Sequence, residues 1–181
     1  GNALRDQLRL PDSLACYDKA IALRGDYHGA LWNQANVLLL LGQFERGLPQ
    51  FEFRASRQSV LQKKPFSMPQ LSNVDELPGK RLLIWDELFF GDMIQFCRYA
   101  LMAERCGAAV TISAPERLHQ LLSTLSDTIA IVGEGQQSNE FDYQVPLMSL
   151  PLVFQTTLKA IPSDVPYLKA EPERVLKWKR H

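Results

Sequence analysis

The sequence lacks an excess of charge of either sign. Lysine plus arginine and aspartate plus glutamate each number 20 among the 181 residues, so the formal net charge is zero. Proteins that bind nucleic acids carry a basic excess or a basic stripe, because they must neutralise phosphates. The balance therefore argues against a nucleic-acid partner. Disorder is not expected either, because apolar residues make up 46% of the chain and can form hydrophobic cores.

Cysteine is scarce, and long apolar runs are absent. The three cysteines, Cys16, Cys97 and Cys106, are odd in number and lack the spacing of metal ligands. This usage is typical of a reduced intracellular protein. No apolar run reaches the roughly 18 residues that a membrane-spanning helix needs, and no signal peptide opens the sequence. We therefore expect a cytoplasmic protein with no membrane span and no metal site.

Nucleotide-binding motifs are missing as well. No GxGxxG follows the first predicted strand, and the sequence contains no P-loop. A nicotinamide or ATP cofactor therefore has no support, because both motifs serve to hold phosphates against main-chain N–H groups. We expect no cofactor.

The first third of the sequence contains a repeat. Residues 34 positions apart match, as in Leu4 with Leu38 and Leu14 with Leu48. A period of 34 is that of the tetratricopeptide (TPR) repeat, a helix–turn–helix unit. About three repeats are usually needed for a stable stack, and fewer than two are present. Packing support for the next domain is therefore favoured over peptide binding in a short groove. We predict TPR-like repeats over 1–62, with helices near 1–8, 12–24, 28–41 and 44–58.

The rest of the sequence alternates between strand-like and helix-like patterns. Residues 63–79 hold three prolines and little periodicity, which is typical of a linker. From residue 80 onward, short apolar runs alternate with amphipathic stretches, which indicates a parallel sheet with helices on both faces. The fold class is therefore α/β with an N-terminal all-α part. The predicted Rossmann-like unit covers 80–170, with strands at 81–86, 108–113, 128–134 and 141–149.

The loop after the first predicted strand is the main candidate for a site, because ligands bind at the carboxyl ends of parallel strands. It leads through Asp92 into a helix predicted over 92–106, with Gly107 as its C-cap. Two interpretations of Asp92 stay open. Its carboxylate either caps the helix that begins at Met93 or serves as a general base for a substrate hydroxyl. Spacing alone favours the cap.

Three ordered motifs resemble bacterial TPR-linked glycosyltransferases. In that family a TPR array precedes a two-lobed GT-B domain similar to that of heptosyltransferases. The second motif resembles W-x-E-Q-G-x-G-D-x-I-Q-F-x-R-Y, and Trp85, Glu87, Gly91 and Asp92 are among its matches. The motifs span much of the chain: GQFERGLPQFEFR (42–54), LLIWDELFFGDMIQFCRYA (82–100) and FDYQVPLMSLPLVFQTTLKAIPSDVPYL (141–168).

The resemblance implies that this chain is the acceptor-side lobe of a glycosyltransferase with a TPR support. A GT-B enzyme binds its nucleotide sugar mainly in the second lobe. We interpret 171–181 as the helix that leads to that lobe, and we expect the chain to be inactive alone. By the same resemblance the catalytic base is Asp92, and the acceptor contacts are Gly91, Gln95, Arg98 and Ser149. From the residues alone, an exposed helix arginine is the favoured interpretation of Arg98.

Two departures favour a different function. Leu88 and Phe89 stand where the resembled family has glutamine and glycine, and a phenylalanine side chain should obstruct the approach of an acceptor to the main chain. The alternative is a non-catalytic TPR module for protein–protein interaction. Its expected partners are a protein or peptide bound through the TPR helices, or a second copy of the chain bound through exposed apolar surface.

Overall fold

In the computed structural model the chain forms two compact units. One comprises Gly1–Pro65 with Phe154–Ile161, and the other comprises Phe66–Val153 with Pro162–His181. The structure describes residues 1–56, 66–87, 89–133, 135 and 140–180. The limits of the units differ from the predicted domains, because 66–79 belongs to the α/β unit and 154–161 to the helical one.

The helical unit begins with four α-helices, each of which packs on the next along the chain. A 3-10 helix over Glu52–Ser56 follows the fourth. The predicted helices agree with these bounds to within a few residues, except that the fourth was predicted to continue as an α-helix through 52–56. Its predicted last residues, 57 and 58, lie outside the described residues. The helices are α1 (Asn2–Asp6), α2 (Leu10–Leu23), α3 (His28–Leu40) and α4 (Phe44–Phe51).

Small and apolar residues hold these helices together. Tyr17, Ala30 and Val37 form a buried cluster between α2 and α3. At the contact of α3 with α4, a Cβ added to Gly47 would lie 2.9 Å from the side chain of Leu39. Only glycine permits so close an approach. The helical packing is thus shown, and the identity of these helices as TPR hairpins stays a prediction.

The second unit contains a four-stranded parallel sheet in the order β3-β2-β1-β4, which confirms the predicted α/β class. Two helices connect β1 to β2, and a third connects β2 to β3. The elements are β1 (Arg81–Trp85), α5 (Phe90–Phe96), α6 (Arg98–Arg105), β2 (Ala109–Ser113), α7 (Glu116–Leu122), β3 (Ala130–Val132) and β4 (Tyr143–Pro146).

Strand β1 lies inside the sheet, and its last four residues are buried. Ile84 pairs with Ile112 of β2 on one side and with Val145 of β4 on the other. All three side chains are fully buried. A strand covered on both faces needs a continuous apolar run, which is the pattern from which this strand was predicted.

The segment 66–79 is not a free connection. The Leu71 N–H donates to the Gln144 carbonyl at 2.8 Å, and the Gln144 N–H donates to the Pro69 carbonyl at 3.0 Å. This segment therefore pairs with β4, and Leu71 and Leu77 are buried side chains. The finding differs from the linker predicted over 63–79, because an edge pairing with a distant strand needs no periodicity in the segment itself.

Helix α5 begins earlier than predicted, at Phe90, and a turn at Cys97 separates it from α6. The N-cap residue is Phe89, and no side chain caps this helix. The prediction that Asp92 caps the helix is therefore wrong. Asp92 lies inside the first turn, beyond the position from which a side chain can cap.

The end of α6 is as predicted. Gly107 has a φ of 89°, and its N–H donates to the Glu104 carbonyl at 2.8 Å. The Ala108 N–H donates to the Ala103 carbonyl at 3.2 Å. A left-handed residue with these two hydrogen bonds is a Schellman motif, which confirms Gly107 as the residue that ends the helix.

The chain after β4 forms three short helices. They are a 3-10 helix (Leu147–Ser149), α8 (Leu150–Val153) and α9 (Pro172–Trp178). Helix α9 lies inside the predicted connecting helix 171–181, and the Gln120 amide of α7 donates to Glu171 just before it at 2.6 Å. Among the residues described, no helix is both long and apolar enough to cross a membrane.

Candidate functional site

The four parallel strands end at one edge of the sheet, and the segments that follow them form the candidate site. Glu87 follows β1, Ala114 follows β2, and the 3-10 helix Leu147–Ser149 follows β4 directly. Helix α5 packs on that 3-10 helix. Three of the predicted site residues, Gly91, Asp92 and Gln95, lie on α5, and Ser149 lies in the 3-10 helix beneath it.

Asp92 is a half-buried carboxylate in the first turn of α5. Burial raises the pKa of the Asp92 carboxyl, and no hydrogen bond or charge from the described residues offsets this effect. The first turn of a helix favours a negative charge, so burial acts here against the local helix dipole. A carboxylate held in this way binds a proton more readily than an ordinary aspartate, which suits a general base.

Gly91 and Gln95 lie one helical turn apart on the exposed face of α5. No atom lies within 4 Å of the place where a Cβ on Gly91 would stand, and the φ of Gly91 is not positive. Neither packing nor backbone conformation therefore requires glycine here. A requirement for glycine at this position would have to come from a ligand.

Alanine at Gly91 and at Gly107 should have opposite effects on stability. Gly91→Ala should stabilise the fold by roughly 0.5 kcal/mol, because alanine loses less backbone entropy in a helix. Gly107→Ala should destabilise it by about 1–2 kcal/mol, because a side chain is strained at positive φ. Urea unfolding of both variants checks this. A loss of stability in Gly91→Ala would show that a Cβ at this residue meets neighbouring atoms.

Arg98 is bound to the segment that precedes α9. Its Nε donates to the Gln95 carbonyl at 2.8 Å, its Nη1 to the Pro162 carbonyl at 2.9 Å, and its Nη2 to the Tyr167 hydroxyl at 2.8 Å. The guanidinium also lies over the Tyr167 ring, 4.3 Å from its centroid. All three nitrogen atoms are thus engaged within the unit. Binding of an anion would have to use the two remaining N–H groups.

Two polar contacts, one between β1 and β4 and one between the residues that follow these strands, hold their carboxyl ends together. The Trp85 indole donates to the Gln144 side-chain oxygen at 2.6 Å, and the Glu87 carboxylate accepts the Met148 N–H at 2.9 Å. Ser149, next to Met148, is also buried. Sequence reasoning gave Glu87 only as a motif match and assigned it no role. The available signal was an acidic residue directly after the predicted strand 81–86.

Large apolar side chains are exposed at the start of α5. Phe89, Phe90 and Ile94 are 62%, 42% and 37% exposed. The Phe89 side chain is therefore largely in solvent and not in the core, whereas Leu88 lies outside the described residues.

Metal ligands do not cluster in the described part of the chain: no group of three or more histidine, cysteine or acidic side chains could hold an ion. The three cysteines are free thiols. Burial raises the pKa of the Cys97 thiol to about 12. This thiol is therefore protonated at neutral pH and is a poor nucleophile.

The helical unit has an open cavity of about 470 Å³ near the turn between α2 and α3. Its lining is mainly polar and includes Asn2, Asp26, His28 and Asn33. The Asn2 side-chain oxygen accepts the Tyr17 hydroxyl at 2.6 Å. This cavity offers hydrogen-bonding groups to a polar ligand such as a peptide.

Comparison with known proteins gives no match: no family model, no curated protein and no solved structure matches this chain. The fold and the site define an α/β unit with a parallel sheet, joined to a helical unit. The glycosyltransferase resemblance stays a prediction from the sequence motifs.

Proposed function

We propose that the α/β unit is the acceptor-side lobe of a glycosyltransferase and that Asp92 is its general base. The observation that carries this proposal is the Asp92 carboxylate, which lies half-buried in the first turn of α5 at the carboxyl edge of the sheet. Its pKa is raised by desolvation. A structural carboxylate would normally have a hydrogen-bonding or charged partner, so this arrangement is better explained by chemistry than by stability.

The proposed step is attack by an acceptor hydroxyl on the anomeric carbon of a nucleotide sugar. The oxygen of the acceptor hydroxyl bonds to the anomeric carbon, and Asp92 takes the proton of that hydroxyl. The bond from the anomeric carbon to the nucleotide diphosphate breaks. Gly91 and Gln95 are exposed beside Asp92 and would contact the acceptor. Ser149 and Arg98, which are held within the unit, would shape the acceptor site. The donor would bind to a second lobe, and the helical unit would act as a TPR support.

A transfer assay tests the proposal. It uses a protein that contains this sequence together with a second α/β lobe, a set of nucleotide sugars, and hydroxyl acceptors, and it measures release of the nucleotide diphosphate. The Asp92→Ala variant should lose transfer. Transfer at an unchanged rate in that variant would remove Asp92 from the catalytic role.

A second candidate function is protein–protein interaction, which the exposed Phe89, Phe90 and Ile94 favour. The partner would be a second copy of the chain, or a peptide bound in the polar cavity of the helical unit. In either function we place the protein in the cytoplasm, because its three cysteines are free thiols.

Sedimentation of the wild type and of the double variant Phe89→Ser/Phe90→Ser tests whether the chain forms a dimer through these side chains. If these side chains form a dimer interface, the wild type should sediment as a dimer and the double variant as a monomer, because the apolar area available for burial is removed. Leu176→Ser, which alters an exposed leucine on α9, is the control and should not change the assembly. A wild type that is monomeric at all concentrations would contradict the dimer.

A further inference from the structure

The proposed reaction makes no use of one buried charge, the carboxylate of Glu87. Glu87 is only 4% exposed, although it lies two residues after the end of β1, at the edge that carries the candidate site. Its Oε2 accepts the N–H of Met148 at 2.9 Å. A buried carboxylate is strongly unfavourable unless hydrogen bonds compensate it, so an acidic side chain at this place needs an explanation.

The Glu87–Met148 hydrogen bond lies just beyond the end of the sheet. The main-chain pairing of β1 with β4 extends as far as Trp85 and Pro146. Beyond this pair, the Glu87 side chain connects the end of β1 to the 3-10 helix Leu147–Ser149. Helix α5 packs on that 3-10 helix. Glu87 is therefore bonded to the element against which α5, the helix that carries Asp92, is packed.

We infer that Glu87 is a positioning residue of the site. Its side chain fixes the 3-10 helix Leu147–Ser149, and through it the position of α5 and of Asp92. The chemistry that Asp92 performs rests on the proposed function, whereas the positioning does not. A role in positioning also accounts for an acidic side chain at this place, because a hydrogen bond to a carboxylate is about twice as strong as one to a neutral acceptor.

The opposite edge of the same two strands provides a matched control. The Asp142 Oδ2, just before β4, accepts the N–H of Arg81, the first residue of β1, at 2.8 Å. This hydrogen bond lowers the pKa of the Asp142 carboxyl. The contact has the same chemistry as that of Glu87, a carboxylate bonded to a main-chain N–H across β1 and β4. It lies at the amino edge of the sheet, away from Asp92.

The experiment is an NMR pH titration of the Asp92 carboxyl carbon in the full chain. Four variants are compared with the wild type: Glu87→Gln, Glu87→Ala, Glu87→Asp and Asp142→Ala. In Glu87→Ala the pKa of Asp92 should fall toward its ordinary value, because α5 is released and the carboxylate becomes hydrated. Glu87→Gln keeps an oxygen acceptor for the Met148 N–H, so its change should be clearly smaller. Asp142→Ala should leave the pKa of Asp92 as in the wild type.

Glu87→Asp keeps the acidic group but shortens the side chain by one methylene. It therefore separates the effect of the hydrogen bond on the pKa of Asp92 from the effect of the charge. The pKa of Asp92 should fall in this variant too, and it supplies the same reading if Glu87→Ala does not fold. Equal changes in Glu87→Gln and Glu87→Ala would mean that only the charge of Glu87 matters, which overturns the inference. A pKa of Asp92 that is unchanged in all Glu87 variants, or one that falls equally in Asp142→Ala, overturns it as well.

The two proposals fail separately. If the Glu87 variants shift the pKa of Asp92 as expected but Asp92→Ala keeps full sugar transfer, the positioning holds and the proposed function falls. If Asp92→Ala abolishes transfer but the pKa of Asp92 is the same in the Glu87 variants as in the wild type, the proposed function stands and the positioning role is wrong.

Discussion

In a protein that also contains a second α/β lobe, replacing Asp92 with asparagine should lower the rate of the proposed sugar transfer by about 10²–10⁴-fold, the usual contribution of a positioned general base. Asparagine keeps the shape of the side chain and cannot take up the proton of an acceptor hydroxyl. In the wild type the rate should fall as the pH drops through the pKa of Asp92, because protonation removes the base. Since that pKa is raised, the fall should occur at a higher pH than for an ordinary aspartate.

The same substitution should make the fold more stable at neutral pH. The pKa of Asp92 is higher in the folded chain than in the unfolded chain, so the folded state prefers the protonated form. The resulting stability is fully present below the unfolded pKa and is lost as the pH rises through the folded pKa. At pH 7 the charged Asp92 therefore works against folding, and the neutral asparagine does not.

Urea unfolding at pH 7 and at acidic pH, combined with the transfer assay, measures both effects. Glu116→Gln is the control, because Glu116 is an exposed acid in the first turn of α7. It should leave transfer unchanged and should not stabilise the fold. An Asp92→Asn variant that is less stable than the wild type at pH 7 would show that the carboxylate has a structural partner.

Replacing Ile84 with alanine should destabilise the α/β unit by about 2–5 kcal/mol, enough to unfold a marginally stable domain. Ile84 is fully buried between Ile112 and Val145 in the row of β-branched side chains that crosses the sheet. The loss contains the transfer free energy of the removed methyl and methylene groups and the cost of the cavity left behind. Strands on both sides limit how far the site can collapse.

Urea denaturation curves give the free energy of unfolding for this series. Ile84→Val removes one methylene group and should cost only about 0.5–1.5 kcal/mol. Leu176→Ala, at a side chain that is 55% exposed on α9, should cost much less than Ile84→Ala. If Leu176→Ala and Ile84→Ala lowered stability equally, the row Ile112–Ile84–Val145 would not be the core of the sheet.

Local patterns in the sequence determined where most of the regular elements lie. The apolar run at the start of the α/β part became β1, because a strand covered on both faces must be apolar throughout. Gly107 ended its helix as predicted, because glycine adopts a positive φ at little cost. The four helices of the helical unit lie close to where the 34-residue repeat predicted them. For β1 and Gly107 the deciding pattern lies within one element or one turn.

Contacts between residues far apart in the sequence decided the rest. The pairing of 69–71 with β4, the inclusion of 154–161 in the helical unit, and the Glu87–Met148 hydrogen bond leave no periodic pattern in the sequence. Asp92 shows most clearly what local sequence patterns could not determine. The sequence placed it at the start of a helix, where capping is the commonest role, but the helix begins at Phe90 and leaves the carboxylate half-buried. Burial depends on how α5 packs on the rest of the unit, including the 3-10 helix after β4, and only the tertiary structure fixes this packing.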